Sequence, residues 1–264
     1  LHTFAAISVC ATLGLSIVYL LPAAVWLQMS IAFLLASVLY AYSRTEFAPM
    51  ISAAVLPVLL QTRSAVYLLA ACVLTAGILL IRRLLVKRGI LTDTAFEKAP
   101  LPDKSTLFHT AVRWLLASIW IFAALTLHIR YAAAPPLLVA FTEFWKPDAV
   151  SRKSPFSMIA LVALCAGCGA GIRFLLCHVL SVPAGIAAAL TILAVFCCMK
   201  LLRLMPPPAA AIAILAFLIP KEALLLFPLQ ILCGITATVS ASYLYAAKPY
   251  QKVICKLTAH RHAV

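Results

Sequence analysis

Three arginines stand shortly before prolines in this chain: Arg44-x4-Pro49, Arg130-x5-Pro136 and Arg203-x4-Pro208. The pairing suggests a chemistry. A guanidinium offers a planar fork that can give two parallel hydrogen bonds to a small oxyanion. Proline is tolerated in the first turn of a helix, where its missing N–H has no intrahelical partner, so each proline marks a helix start. A helix start carries unpaired N–H groups and the positive end of the helix dipole, and both favour an anion. Arginine beside such a start is a candidate anion-attracting pair.

Carboxylates are scarce, with Asp and Glu totalling 7 against 21 Lys and Arg. Glu143, in "AFTEFW" beside Thr142, is the one best placed inside a short helical run. A carboxylate at membrane depth is costly and usually functional. Lys146 lies three residues on, so a surface pair and a proton-coupling role are both open. Glu46 and Glu222 stand at the entrances of helical runs and read as caps of the helix dipole. Arg113 and Arg173 fall within long runs, where they could line a path or snorkel. His260 and His262 lack a full ligand set, so no metal site is expected, and no cofactor. Cys165-x-x-Cys168 has redox spacing, but it lies mid-helix among Gly167, Gly169 and Gly171 and reads as small-residue packing. There is no phosphate-binding glycine loop and no His-Glu-x-x-His, so an enzyme is not expected.

The elements that would position these residues follow from composition. Of 264 residues, 65% are hydrophobic and 11% charged. A soluble domain carries roughly 45–50% apolar and about 25% charged residues. The chain therefore reads as an all-α, polytopic transmembrane helix bundle, one membrane domain over 1–264 whose main partner is the lipid bilayer. The first run lacks a basic n-region and a small-residue cleavage site, so it is expected to be a retained helix. Long apolar runs lie at about 3–20, 23–42, 64–86, 107–128, 155–180, 184–202 and 223–246. Shorter, proline-led runs lie at 46–60, 133–145 and 205–219, giving about ten helices.

The short runs repeat in context. Sliding Phe47 onto Pro206 aligns "FAPMISAAVLPVLL" with "PPPAAAIAILAFLI" without gaps. Three units of long helix, short helix and long helix are expected, over 23–87, 107–180 and 183–247, with the helix 3–20 ahead of them. A polar connector, 88–105, joins the first unit to the rest, and a tail follows at 248–264.

Charge suggests that the short runs cross. With ten crossings, one side holds Arg44, Arg82, Arg83, Lys87, Lys104, Lys146, Lys200, Arg203 and the basic tail. The other holds only Arg63, Arg130 and Lys221. Cytoplasmic loops are enriched in Lys and Arg, so both termini are expected in the cytoplasm, with the connector and tail, and a bacterial inner membrane fits. The same asymmetry accounts for the net charge of +14 without nucleic acid. Arg44 and Arg203 then have a topological role, whereas Arg130 does not.

Residues 107–247 resemble the HPP family of small integral membrane proteins. The family's motif runs roughly His-Pro-Pro-Ala-Gly-Ala-Thr-Ala-Leu. Here Pro206-Pro207-Pro208-Ala209-Ala210-Ala211-Ile212-Ala213-Ile214 is similar in place and spacing, and "PPLLVAFTEFWKPDAVSRKSP" resembles an earlier proline-led segment of the family. Pro206 replaces the histidine, Ala210 the glycine and Ile212 the threonine. Residues 1–90 would be an added unit. The resemblance implies a helical membrane fold and presumed transport.

Together these readings give an expected secondary transporter or permease for a small solute, an anion first. Its expected site residues are Arg130, Pro136, Thr142, Glu143, Pro206, Pro207 and Pro208. The alternative is a membrane scaffold or partner subunit that transports nothing. Nothing in the sequence fixes an oligomeric state.

Overall fold

A computed structural model describes residues 2–45, 47–92, 101–146 and 154–247. Glu46, residues 93–100 of the connector, and the tail with His260 and His262 lie outside the described residues. Among the described residues the chain is helical and no strand is present. Apolar runs surrounded by lipid satisfy their backbone N–H and C=O groups internally, which selects helix.

Among the described residues, seven helices are long and apolar enough to cross a membrane. They are α1 (His2–Leu20), α2 (Val25–Ser43), α4 (Val66–Lys87), α5 (Lys104–Thr126), α7 (Pro155–Ile172), α8 (Ala184–Leu201) and α10 (Phe227–Ala247), with α7 continued by a π-helix over Arg173–Val179. Three short helices stand between them: α3 (Pro49–Leu59), α6 (Pro135–Phe144) and α9 (Pro207–Leu215). Each begins on proline, which fixes φ and needs no N–H acceptor in a first turn. Their 11, 10 and 9 residues reach only ~14–17 Å at ~1.5 Å per residue.

The chain divides into two compact units, one to Val139 and one from Ala140, and α6 carries it from the first into the second. In the first unit α3 packs against α1 and α2, α4 lies on α1, and α5 lies on α2. In the second, α7 packs against α8, α9 and α10, and α8 also meets α9.

The same close seat appears inside each unit. Gly14 of α1 lies against the Ala54 carbonyl of α3, and a Cβ added there would sit 2.2 Å from that oxygen. Gly169 of α7 lies against the Ala213 carbonyl of α9, at 2.3 Å for the same atom pair. Only glycine lets two backbones approach this far. The alignment that carries Phe47 onto Pro206 also carries Ala54 onto Ala213. The two glycines thus add α1 and α7 to the shared pattern.

Left-handed residues punctuate the pattern. Arg44 (φ 56°) ends α2, and Arg203 (φ 51°) follows α8. In this conformation a residue ends a helix and turns the chain, a place usually taken by glycine. Between α5 and α6 the left-handed residue is His128 (φ 58°), not Arg130. Arg130 opens a short 3₁₀ turn, Arg130–Ala133. The three arginines are therefore alike in spacing, but only Arg44 and Arg203 are alike in conformation.

Candidate functional site

Each residue singled out by sequence has a definite place. Arg130 is exposed, and its Nη2 donates to the Tyr131 hydroxyl at 2.7 Å. Its guanidinium carbon also lies 4.9 Å from the centre of the Tyr131 ring. Pro136 is buried in the first turn of α6. Both belong to the first unit.

Thr142, Glu143 and the proline triplet belong to the second unit. Thr142 is buried. Glu143 is half-buried and pairs with Lys146, whose Nζ lies 2.9 Å from Oε2 and 3.1 Å from Oε1. Of the two readings for Glu143, the structure forms the pair with Lys146. A pair this exposed contributes about 0–1 kcal/mol. Pro206 is the residue before α9 and is buried, Pro207 is its first residue, and Pro208 is buried in its first turn. Glu222 does not cap a long helix: it lies in a 3₁₀ turn, Lys221–Ala223, and α10 starts only at Phe227.

The two mid-run arginines do not snorkel. Arg173 Nη1 donates to the Ala216 and Ile219 carbonyls, the second at 2.7 Å. These carbonyls follow α9, so Arg173 closes a helix end whose acceptors would otherwise face lipid. Arg113 of α5 is buried, with 8% of its surface exposed.

Around Arg113 the first unit holds a polar seam that the sequence reading did not assemble. Ser30 of α2 and Ser118 of α5 share a hydrogen bond between hydroxyls at 2.6 Å. Trp114 Nε1 donates to both Ser30 oxygens, carbonyl and hydroxyl, at 3.1 Å each. One turn along, the Trp26 and Phe122 rings meet edge to face, with centroids 5.2 Å apart. Contacts 26–122 and 30–118 fix an antiparallel register. That register carries Ser37 to the level of Thr110 and Arg113.

Ser37 differs from the other buried hydroxyls there. Thr110 donates to the Thr106 carbonyl one turn back, at 2.9 Å. Ser37 is fully buried, and its Oγ has no hydrogen-bond partner among the described residues. An unsatisfied buried hydroxyl costs roughly 1–3 kcal/mol. The signal in the sequence was Ser30 and Ser37 seven residues apart, two turns along one face of α2.

A second polar contact ties α2 to the end of α3. Gln28 Nε2 donates to the Leu21 carbonyl (2.7 Å), and Gln61 Nε2 donates to Gln28 Oε1 (2.8 Å) and to the Val58 carbonyl (2.7 Å). Gln61 thereby closes the end of α3 with an amide. A cavity of about 300 Å³ opens beside α1, lined by His2, Val9, Leu39, Tyr42 and Met50 among others. Its wall is mainly apolar, and it holds none of the expected site residues.

No family model, curated protein or solved structure matches this chain.

Proposed function

We propose that this multi-pass membrane protein is a permease or secondary transporter for a small solute, with a small anion as the first candidate. The observation that carries this reading is the buried Arg113 at the level of the unpartnered Ser37 hydroxyl. An ionisable side chain inside a membrane-length helix is expensive and is retained mainly for function. A guanidinium together with a free hydroxyl suits a carboxylate or another small oxyanion. Proline-led short helices in matching places are also common in secondary transporters. Ten crossings, cytoplasmic termini, inversion between neighbouring units and a place in a bacterial inner membrane belong to the same proposal. So does the likeness to the HPP family, with Arg130 drawing the anion in from the side poor in positive charge.

Flux of small anions into proteoliposomes, screened at several pH values, tests the reading. Arg113→Lys keeps the charge and loses the fork, so flux should fall about tenfold or more. Ser37→Ala removes a hydroxyl with no hydrogen-bond partner among the described residues, so folding should hold or improve while flux falls. Arg130→Ala should lower flux far more than Arg44→Ala or Arg203→Ala. A wild-type protein that moves no anion would sink the proposal in favour of a scaffold. Unchanged flux in Arg113→Lys and Ser37→Ala would remove the seam from the mechanism.

A further inference from the structure

The end of α7 is wound differently from its body. Over Arg173–Val179 the helix is of the π type, and Leu180 N–H reaches back five residues to the Leu175 carbonyl at 3.0 Å. In a regular α-helix of ~3.6 residues per turn, residues five apart point in different directions. Five-residue hydrogen bonding brings them close to one face. Arg173 and His178 are five apart, so the π stretch aligns them.

Lys221 joins the pair from the chain after α9. Arg173 Nη1 is fixed on the Ala216 and Ile219 carbonyls, and the chain then runs through Pro220 to Lys221. Lys221 follows by two residues the Ile219 carbonyl that holds Arg173. Each of the three nitrogen groups keeps free capacity. Arg173 Nε and Nη2 make no hydrogen bond among the described residues. His178 Nε2 is buried and has no partner there. Lys221 is exposed and forms no ion pair among them, and neighbouring Glu222 forms none either.

Like charges at one helix end disfavour one another, and among the described residues neither Arg173 nor Lys221 forms an ion pair. A bound oxyanion removes that cost and uses the free donors. The neighbouring sequence is apolar and exposed: Phe174, Val179, Leu180, Leu225 and Leu226. We propose that Arg173, His178 and Lys221 form a seat for a phosphate-type oxyanion at this membrane boundary, either the headgroup of an anionic phospholipid or a free phosphate. The seat lies within the second unit and is independent of the Arg113 seam.

The test uses the full chain, purified in detergent and probed by native mass spectrometry and thermal unfolding. The probes are phosphatidylglycerol, phosphatidylcholine and inorganic phosphate. The main variant is His178→Gln with Lys221→Gln, which leaves the Arg173 bonds to Ala216 and Ile219 intact. Arg63→Gln is the control, since Arg63 stands in the other unit. Each charged hydrogen bond lost weakens binding, so the double variant should bind the anionic probe at least about tenfold more weakly. Phosphatidylglycerol retained by wild type and by Arg63→Gln, but lost from the double variant, supports the headgroup. Inorganic phosphate that stabilises wild type and not the double variant supports a free anion in the same seat. If both probes act equally on wild type and the double variant, or on neither, the seat is refuted.

Discussion

The glycine seats allow a prediction in which one energy term can be isolated. Gly169→Ala places a Cβ 2.3 Å from the Ala213 oxygen and 2.9 Å from its C and Cα. Ordinary contact begins at 3.4 Å, so α7 and α9 must separate by about 1 Å. The obstacle is backbone and cannot swing aside like a side chain. Overpacking of this kind costs roughly 1–3 kcal/mol. Alanine also favours helix over glycine by about 0.8–1.0 kcal/mol, which blurs the single-mutant value. Gly167 and Gly171 lie on the same helix with no atom within 4 Å of an added Cβ. Substitution to alanine there carries the helix gain and no clash. Subtracting one variant from the other cancels propensity and leaves the overpacking term, about 1–3 kcal/mol. For a chain of this size each kcal/mol moves the midpoint by roughly 2–4 °C. Thermal unfolding in matched micelles should therefore place Gly169→Ala several degrees below Gly167→Ala and Gly171→Ala. Gly14→Ala should behave like Gly169→Ala, since its Cβ would meet the Ala54 oxygen at 2.2 Å and Pro57 Cγ at 2.7 Å. Equal midpoints for Gly169→Ala and Gly167→Ala would show that α7 and α9 do not approach as described.

Two further outcomes are expected. Asp103 caps α5, its Oδ1 accepting from the Thr106 hydroxyl (2.7 Å) and the Thr106 N–H (2.8 Å), and these bonds hold its carboxyl below the usual carboxylate range. A depressed carboxylate stabilises the fold above its ordinary pKa, and that contribution fades as pH falls through the folded value. Asp103→Ala should then cost about 1 kcal/mol or less at neutral pH, and the gap in melting temperature should close on acidification, whereas a gap independent of pH would exclude the charged cap. For topology, single cysteines introduced at Ser64 and Ile90, in a background without native cysteines, should react with impermeant reagent from opposite sides. Reaction from one side would overturn the ten-crossing arrangement.

Helix positions were legible because apolar runs bounded by charge and proline mark spans directly. The run expected at 133–145 is the helix Pro135–Phe144, and the run at 3–20 is His2–Leu20. The run at 205–219 is helical only to Leu215. Beyond it, Phe217 N–H bonds to Ile214 and Leu218 N–H to Leu215, three residues back, and Pro220 follows. Tightened turns of this kind leave no compositional mark. Which face each helix buries was far less legible. In a water-soluble helix, polar residues mark the outer face, but a helix apolar all round carries no such contrast. Gly167, Gly169 and Gly171 look equivalent as letters, yet only Gly169 meets a backbone.

The same absence of contrast explains why the arginines were hard to sort. Sequence grouped Arg44, Arg130 and Arg203 by their distance to proline, and left Arg113 and Arg173 as residues that could line a path or snorkel. Conformation regroups them. Arg44 and Arg203 are left-handed helix stops. Arg173 serves carbonyls at the end of α9, where its counterpart in the first unit, the end of α3, is served by the Gln61 amide. An amide can close a helix end without carrying a charge into the membrane, so helix closure alone does not require an arginine in α7. The added charge at Arg173 is what the proposed oxyanion seat would use. Arg113 is more demanding still. The register places it near the level of Ser37, inside a helix pair that Ser30, Ser118 and Trp114 already hold together. Packing between α2 and α5 would be served as well by an apolar residue, without burying a guanidinium. Under the proposed function the position serves a solute, and Arg113→Lys, which preserves charge and most of the bulk, separates that reading from a role in packing.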